Sequence, residues 1–408
     1  MRFKFDLNGL WYFQMDPEQM GKQQQWFMKE NYQYIEDKFE APVPGCWEVI
    51  DNELSDYKGW GWYFTEFTLP HEFDRKKVKI CFKGVNYICD VYLDGKLLGA
   101  HEGGFTAFSF DVTGIDVEEP HYLVIRVENE VNYSGIHRDV YLEFYDWIYM
   151  EECNVSTEIL WKSPGVPRRA RIKIKTYFKN TMKWDLEEAS IIHVLTHDKA
   201  LIMDQSRDFN VQHENSRLLT TVLEIPADSL TLWSPDEPFL YDLNLVVKNS
   251  DGVIFENIDL QVGVREFKVE DQQLYLNGKL FGMQGVAKQF EHPDFGLSLP
   301  KEIVLKDLKN LKDEGINTIR LIHHPADDFT LTMMDRLGFC VIEEIGMVDP
   351  TKPQTESMIK EMIDNDRNHP CIFSWNLIRS DDKERSFDLA LQKTWYADFK
   401  VEKLENES

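Results

Sequence analysis

The sequence is short of cations, of ordered cysteines and of long apolar runs, and each shortage closes off a class of function. Lys and Arg together number 45 against 71 Asp and Glu, a formal net charge of −26. A surface of that sign repels phosphate backbones and anionic lipid, so no nucleic acid and no membrane partner is expected. No window approaches the about 18 consecutive apolar residues of a transmembrane helix. The opening Met1-Arg2-Phe3-Lys4-Phe5-Asp6-Leu7 has no apolar stretch behind its basic residues, so we expect no signal peptide and a cytoplasmic protein. The six cysteines, at 46, 81, 89, 153, 340 and 371, form no C-x-x-C pair and keep no zinc-finger spacing with histidine. They read as reduced, buried thiols, and neither a metal nor a cofactor is expected.

What is present is apolar and aromatic material: 43% hydrophobic residues and 13% Phe, Trp and Tyr over 408 residues. A chain of this length is expected to divide into two or three domains. From Leu7 to about Phe144 short runs alternate with period two, as in Trp62-Tyr63-Phe64-Thr65-Glu66-Phe67, Val78-Lys79-Ile80-Cys81-Phe82 and Tyr122-Leu123-Val124-Ile125. Alternation with β-branched and aromatic residues predicts half-buried strands. Asp94-Gly95 between two apolar stretches supplies the positive φ angles of a tight hairpin. Residues 1–150 are therefore predicted to form an antiparallel, jelly-roll-like β-sandwich. A second all-β stretch, residues 151–266, carries runs at 170–175, 218–223 and 240–247, whose spacing suits an immunoglobulin-like sandwich.

After a hairpin at Asn277-Gly278 the pattern becomes strand then helix, beginning with Lys279-Leu280-Phe281-Gly282-Met283 and a helix from Pro300 to Glu314. Further strands are read at 317–322, 339–342 and 371–375, with helices around 329–337 and 356–366. Phe387, Leu391, Trp395 and Phe399 mark a last helix. Such alternation predicts a parallel sheet, and a closed eight-stranded barrel takes about 250 residues. Residues 267–408 are accordingly read as a partial TIM barrel of four βα units.

Several phrases together carry a resemblance: Pro42-Val43-Pro44-Gly45-Cys46-Trp47, His101-Glu102-Gly103-Gly104-Phe105, Gly135-Ile136-His137-Arg138-Asp139, Leu232-Trp233-Ser234-Pro235, Gly263-Val264-Arg265, Asn317-Thr318-Ile319-Arg320 and Asp366-Arg367-Asn368-His369-Pro370. In this order they resemble glycoside hydrolase family 2, the β-galactosidases, β-glucuronidases and β-mannosidases, over nearly the whole chain. The resemblance implies hydrolysis of β-glycosides by two carboxyl groups about 5–5.5 Å apart, one protonating the leaving oxygen and one attacking the anomeric carbon. It also implies that Arg320, His323, Glu344 and Trp375 face the sugar.

At the acid/base the resemblance fails. The family phrase Trp-Ser-Leu-Gly-Asn-Glu reads here Trp375-Asn376-Leu377-Ile378-Arg379-Ser380. Ser380 stands where the acid belongs, and a hydroxyl cannot donate a proton near neutral pH. The family's nucleophile falls in the second half of the barrel, beyond Ser408. The phrase after the first barrel strand, usually Gly-Val-Asn-Arg-His-Glu, reads Gly285-Val286-Ala287-Lys288-Gln289-Phe290, and the loop at Asn129–Ser134 is shorter than usual. No catalytic pair is intact. Asp381 or Asp382, with Glu343 or Glu344 as partner, are the weak substitutes.

The remaining residues have plainer readings. His323 and His324 lie near two glutamates, yet adjacent histidines point apart, and a hydrogen-bonded structural His323 is preferred to a metal site. Trp60 and Trp62 could stack on a sugar, but core is preferred for Trp62 and, less firmly, for Trp60. We therefore expect a degenerate family member with little or no turnover. The alternatives are a carbohydrate-binding or assembly module and one half of a split glycosidase. The inner face of half a barrel has to be covered, by the 387–399 helix, by a second copy in a homodimer, or by a partner chain.

Overall fold

The computed structural model describes residues 2–35, 38–73, 77–129, 133–348 and 352–379. Ser380, Asp381, Asp382 and the helix expected at 387–399 lie outside the described residues, as does most of the shortened loop before Ser134. The chain divides into two compact units. One comprises residues 1–147 with 290–304 and 352–362, and the other comprises 148–289 with the described parts of 305–351 and 363–408.

The first unit is an antiparallel sandwich. A four-stranded sheet orders Phe3–Asp6, Val140–Tyr145, Lys77–Phe82 and Phe108–Asp111. A six-stranded sheet orders Phe39–Val43, Gly9–Met15, Gly59–Thr68, Pro120–Asn129, Ile88–Leu93 and Lys96–Glu102. Asp94 and Gly95, at φ 49° and 78°, make the turn that pairs Leu93 with Lys96. Alternate residues of the strands meet between the sheets, among them Trp11, Phe13, Tyr63, Phe82 and Leu142, and Trp47 joins them from a short 3-10 turn, all buried. The strand Gly59–Thr68 is buried on its other face too. There Trp62, Phe64, Tyr92 and Tyr122 form a second apolar cluster beneath Trp26, Phe27 and Tyr32. Asp16 anchors that cover: its carboxylate accepts from the backbone N–H groups of Met20 and Gly21 at 2.7 and 3.1 Å and from Trp62 Nε1 at 2.8 Å. Trp62 is core. Trp60 is half-buried, and its ring is occupied by the Arg126 guanidinium, 3.2 Å from the centroid.

The second unit opens with seven strands in two sheets. Ile148–Ser163, Val166–Asn180 and Asn215–Pro226 form one, and Ala200–Val211, Leu186–His197, Tyr241–Asn249 and Ile254–Val262 the other. Ile172, Ile174, Phe178 and Leu223 pack with Ile191, Leu195, Leu243 and Leu245 in its core.

The expected first barrel strand is corrected by the structure. Asn277 and Gly278, at φ 54° and 72°, fold Lys279–Leu280 back onto Gln273–Leu276 in a small antiparallel sheet. The parallel sheet begins later, at Gly285–Lys288, and continues through Thr318–Leu321, Cys340–Val348 and Ile372–Arg379 in that order. A hairpin turn reverses the chain, so an apolar run next to one cannot enter a parallel sheet without a crossover. Helices α1 (Lys301–Asp313), α2 (Asp328–Leu337) and α3 (Pro353–Asp366) follow the first three strands. Val304 and Leu308 bury one side of α1. Asp327 caps α2, accepting from Thr330 N at 2.8 Å, and Gly338 ends it at φ 75°. No helix among the described residues is long and apolar enough to cross a membrane.

Candidate functional site

The parallel register decides which side chains share a face. Arg320 pairs with Ile342, and Glu344 pairs with Asn376. Arg320 is thus the diagonal neighbour of Glu344, two residues along, which is within reach of a long side chain. Neighbouring residues of a strand point to opposite faces, so Glu343 and Glu344 cannot serve one site together. Glu344 takes the face of Arg320 and Asn376.

Glu344 is fully buried, and its carboxylate is heavily bonded. Oε2 accepts from Arg320 Nε at 2.9 Å, from Arg320 Nη2 at 2.6 Å and from Asn376 Nδ2 at 2.7 Å. Oε1 accepts from the backbone N–H of His323 at 2.8 Å. A buried carboxylate persists as an anion only when its charge is paired and its oxygens are satisfied, and these four bonds do both.

The structure assigns His323 differently from the expected hydrogen-bonded side chain. Its backbone sits in the left-handed region, at φ 73°, and its imidazole is exposed. What it contributes is its main chain: N–H to Glu344, and C=O accepting from Gly346 N at 2.8 Å. A Cβ on Gly346 would lie 2.8 Å from His323 Cα, so only glycine admits this approach. His324 is the buried member of the pair. Among the described residues no three His, Cys, Asp or Glu gather as a metal site.

Trp375 pairs with Glu343 and is 4% exposed, so it backs the sheet and offers little surface to a ligand. The structure brings Arg320, Glu344 and the His323 main chain into direct contact. Asn376 was missed by the sequence reading. It stands at the family's Ser position, and only the pairing of two strands 32 residues apart reveals that it completes the set. On the first strand Ala287 pairs with Arg320 and is exposed, consistent with the small side chain read there.

A second buried acid supports the fourth strand from its start. Asp335 accepts from Cys371 N at 2.9 Å and from His369 Nδ1 at 2.6 Å. Burial disfavours charge on His369, but the Asp335 carboxylate, with Asp366 and Asp328 nearby, raises the imidazole pKa above its ordinary value. Arg265 joins the same strand to the sandwich, donating to the carbonyls of Pro370 and Ile372 at 3.0 and 2.9 Å.

Three family models match successive stretches of the chain. They are the galactose-binding domain-like model of glycosyl hydrolase 2 at residues 50–160, the glycosyl hydrolases family 2 model at 155–265, and that family's TIM barrel domain at 267–392. A β-glucuronidase of Paenibacillus borealis is 24% identical, covering 91% of this chain and 67% of its own length. A β-galactosidase of Thermoanaerobacter pseudethanolicus is 29% identical over 79% of this chain and 45% of its own. Among solved structures, Bacteroides uniformis β-glucuronidase superposes with a TM-score of 0.81 at 22% identity, covering 96% of this chain and 49% of that one. The Ruminococcus gnavus β-glucuronidase complex with D-glucuronic acid gives 0.78 at 24% identity, covering 92% and 66%. This chain therefore spans about half to two thirds of the proteins it matches. Two sandwich models and a barrel model run consecutively along it, over sheets of the matching kinds, and the chain belongs to glycoside hydrolase family 2.

Proposed function

We propose that this chain holds the glycone of a β-glycoside on the Arg320 face of its parallel sheet without cleaving it. The observation that carries the reading is the fate of the carboxylates. The position one residue past Arg379, where the family phrase has its acid, is Ser380. Glu344, on the described face, is spent on Arg320, Asn376 and the His323 main chain. General acid catalysis requires a group whose pKa lies near the working pH, and a serine hydroxyl is far above it. In this reading Glu344 is a positioning residue that fixes the Arg320 guanidinium, and Arg320 contacts the ligand. The β-glucuronidases and β-galactosidases among the relatives suggest uronic or neutral hexopyranosides as ligands.

The test is a hydrolysis screen against nitrophenyl β-galactoside, β-glucuronide and β-mannoside, run beside titration calorimetry with the corresponding free sugars. We expect no turnover from the native chain, and saturable binding of one sugar that Arg320→Ala weakens at least about tenfold, a step of about 1.4 kcal/mol. Turnover by the native chain, or flat calorimetry across the sugars, overturns the reading.

A further inference from the structure

The longest stretch of this acidic chain without an acidic residue is strongly basic. Between Glu158 and Asp185 there is no acidic residue, while Lys162, Arg168, Arg169, Arg171, Lys173, Lys175, Lys179 and Lys183 all fall there. Most of this stretch is the strand Val166–Asn180, the middle strand of the three-stranded sheet of the second sandwich. Ala170, Ile172, Ile174 and Phe178 point into the core, so the alternate residues Arg171, Lys173, Lys175 and Lys179 lie on the outer face. Arg171, Lys173 and Lys175 stand about 6.8 Å apart, two residues at about 3.4 Å each.

The ends of this ladder are neutralised: Arg169 and Arg171 pair with Glu224 at 3.0 and 2.8 Å, and Lys179 pairs with Glu151 at 3.4 Å. Its middle differs. Lys173 has Val222 and Ser156 as cross-strand neighbours, and Lys175 has Thr220 and Asn154, all uncharged. Beside them Leu218 and Val222 are 48% and 40% exposed. Two lysines next to exposed aliphatic side chains make a face that suits an acidic, partly apolar partner.

The opposite sheet of the same sandwich has that character. On its outer face Ile192 and Val194 run down the strand Leu186–His197, flanked by Asp204 and Asp208 on one neighbour. On the other side lie Asp242, and beyond it Asp259. The aspartates are exposed. Two cations qualify the face: Lys248, paired with Ser190, and Arg336 at the rim, donating to Gln261 at 3.0 Å. Four aspartates against one lysine and one arginine leave it negative.

We propose that the second sandwich is a head-to-tail self-association module, the Lys173/Lys175 face of one copy docking on the Asp204/Asp208 face of another. The partner is a second copy of this chain because one domain displays both complementary surfaces, each with apolar side chains among its charges. The association is heterologous, so it grows into rings or short chains instead of stopping at a two-fold dimer. A net charge of −26 opposes the approach of two copies. That repulsion acts over long distances and is screened beyond about 10 Å at 0.1 M salt, whereas charges in contact are screened far less. The inference does not depend on glycone binding.

Sedimentation velocity on the full chain and two charge-reversal variants, Lys173→Glu/Lys175→Glu and Asp204→Lys/Asp208→Lys, tests it. In about 0.1 M salt the native chain is expected to sediment faster as concentration rises, and to return to monomer near 1 M, where the screening length is about 3 Å. Each variant alone stays monomeric. In an equimolar mixture the Lys face of one variant meets the Asp face of the other, and the two reversed faces are opposite in charge as well, so the mixture regains the association of the native chain. Thermal melts matching the native chain show that the variants are folded. A native chain that is monomeric at all concentrations, variants that self-associate as the native chain does, or a mixture that remains monomeric overturns the proposal. A polyanion captured by the lysine face of a monomeric native chain counts against it too.

Discussion

The core of the first sandwich and the parallel sheet bury different kinds of side chain. The sandwich core between its sheets is Trp11, Phe13, Trp47, Tyr63, Phe82 and Leu142, and that unit's charges lie outside it, Asp16 satisfied by neutral N–H donors and Arg126 paired with Asp90 at 3.2 Å. The parallel sheet buries a full ion pair, Arg320 with Glu344, together with Asn376. Apolar burial contributes about 25 cal/mol per Å² and needs no partner. A buried ion pair roughly cancels its own desolvation cost, and an apolar replacement is often as stable or more so. The sandwich is thus built for stability. The sheet carries a network whose stability return is poor.

Three measurements sharpen or break that contrast. The largest effects come from removing single members. Phe13→Ala, which empties a site between Trp47 and Tyr63, is expected to cost about 3–5 kcal/mol. Glu344→Ala, which strands the Arg320 guanidinium, is expected to cost a similar amount, about 3–5 kcal/mol. Hydrogen exchange at residues 9–15 and 318–321 respectively reads each loss locally. The intermediate effect separates the regions: Arg320→Met with Glu344→Leu is expected to leave stability unchanged or raise it by about 1–4 kcal/mol, while abolishing glycone binding. A double variant as unstable as Glu344→Ala would show that the network is structural and remove the contrast.

The smallest effect is a pH dependence. The His369 pKa is raised in the fold by Asp335 against the opposing effect of burial. A raised folded pKa means that the charged form favours the folded state. Its contribution is complete below the ordinary imidazole value of about 6.5 and fades as pH rises through the higher folded value. Exchange protection at 372–376 should therefore decline as pH rises above about 6.5 in the native chain, and His369→Gln should flatten that decline. An unchanged slope in the variant would remove His369 as its source.

The fold was legible where a local pattern has one physical meaning. Period-two alternation placed the strands of both sandwiches, and Asp94-Gly95 and Asn277-Gly278 placed two hairpins. The reading slipped at Lys279–Met283. An apolar run beside a turn fits an antiparallel third strand as well as a parallel first one, and only pairing distinguishes them. At the site, sequence named Arg320, His323, Glu344 and Trp375. It assigned His323 a side-chain role that belongs to its backbone, because φ of 73° at a non-glycine residue has no local signature. It passed over Asn376, whose importance rests on a partner 32 residues away.

By itself the sequence determined the order of two sandwiches and a β/α segment, the net negative charge, and the serine that follows Arg379. Composition, periodicity and residue identity are properties of the chain and need no coordinates. Only the tertiary structure decided that Glu344 is held by four hydrogen bonds, that Trp60 carries a guanidinium on its ring, and that Lys173 and Lys175 share one outer face of a sandwich while Asp204 and Asp208 share the other. Those facts depend on strand register, where a shift of one residue sends every side chain to the other face.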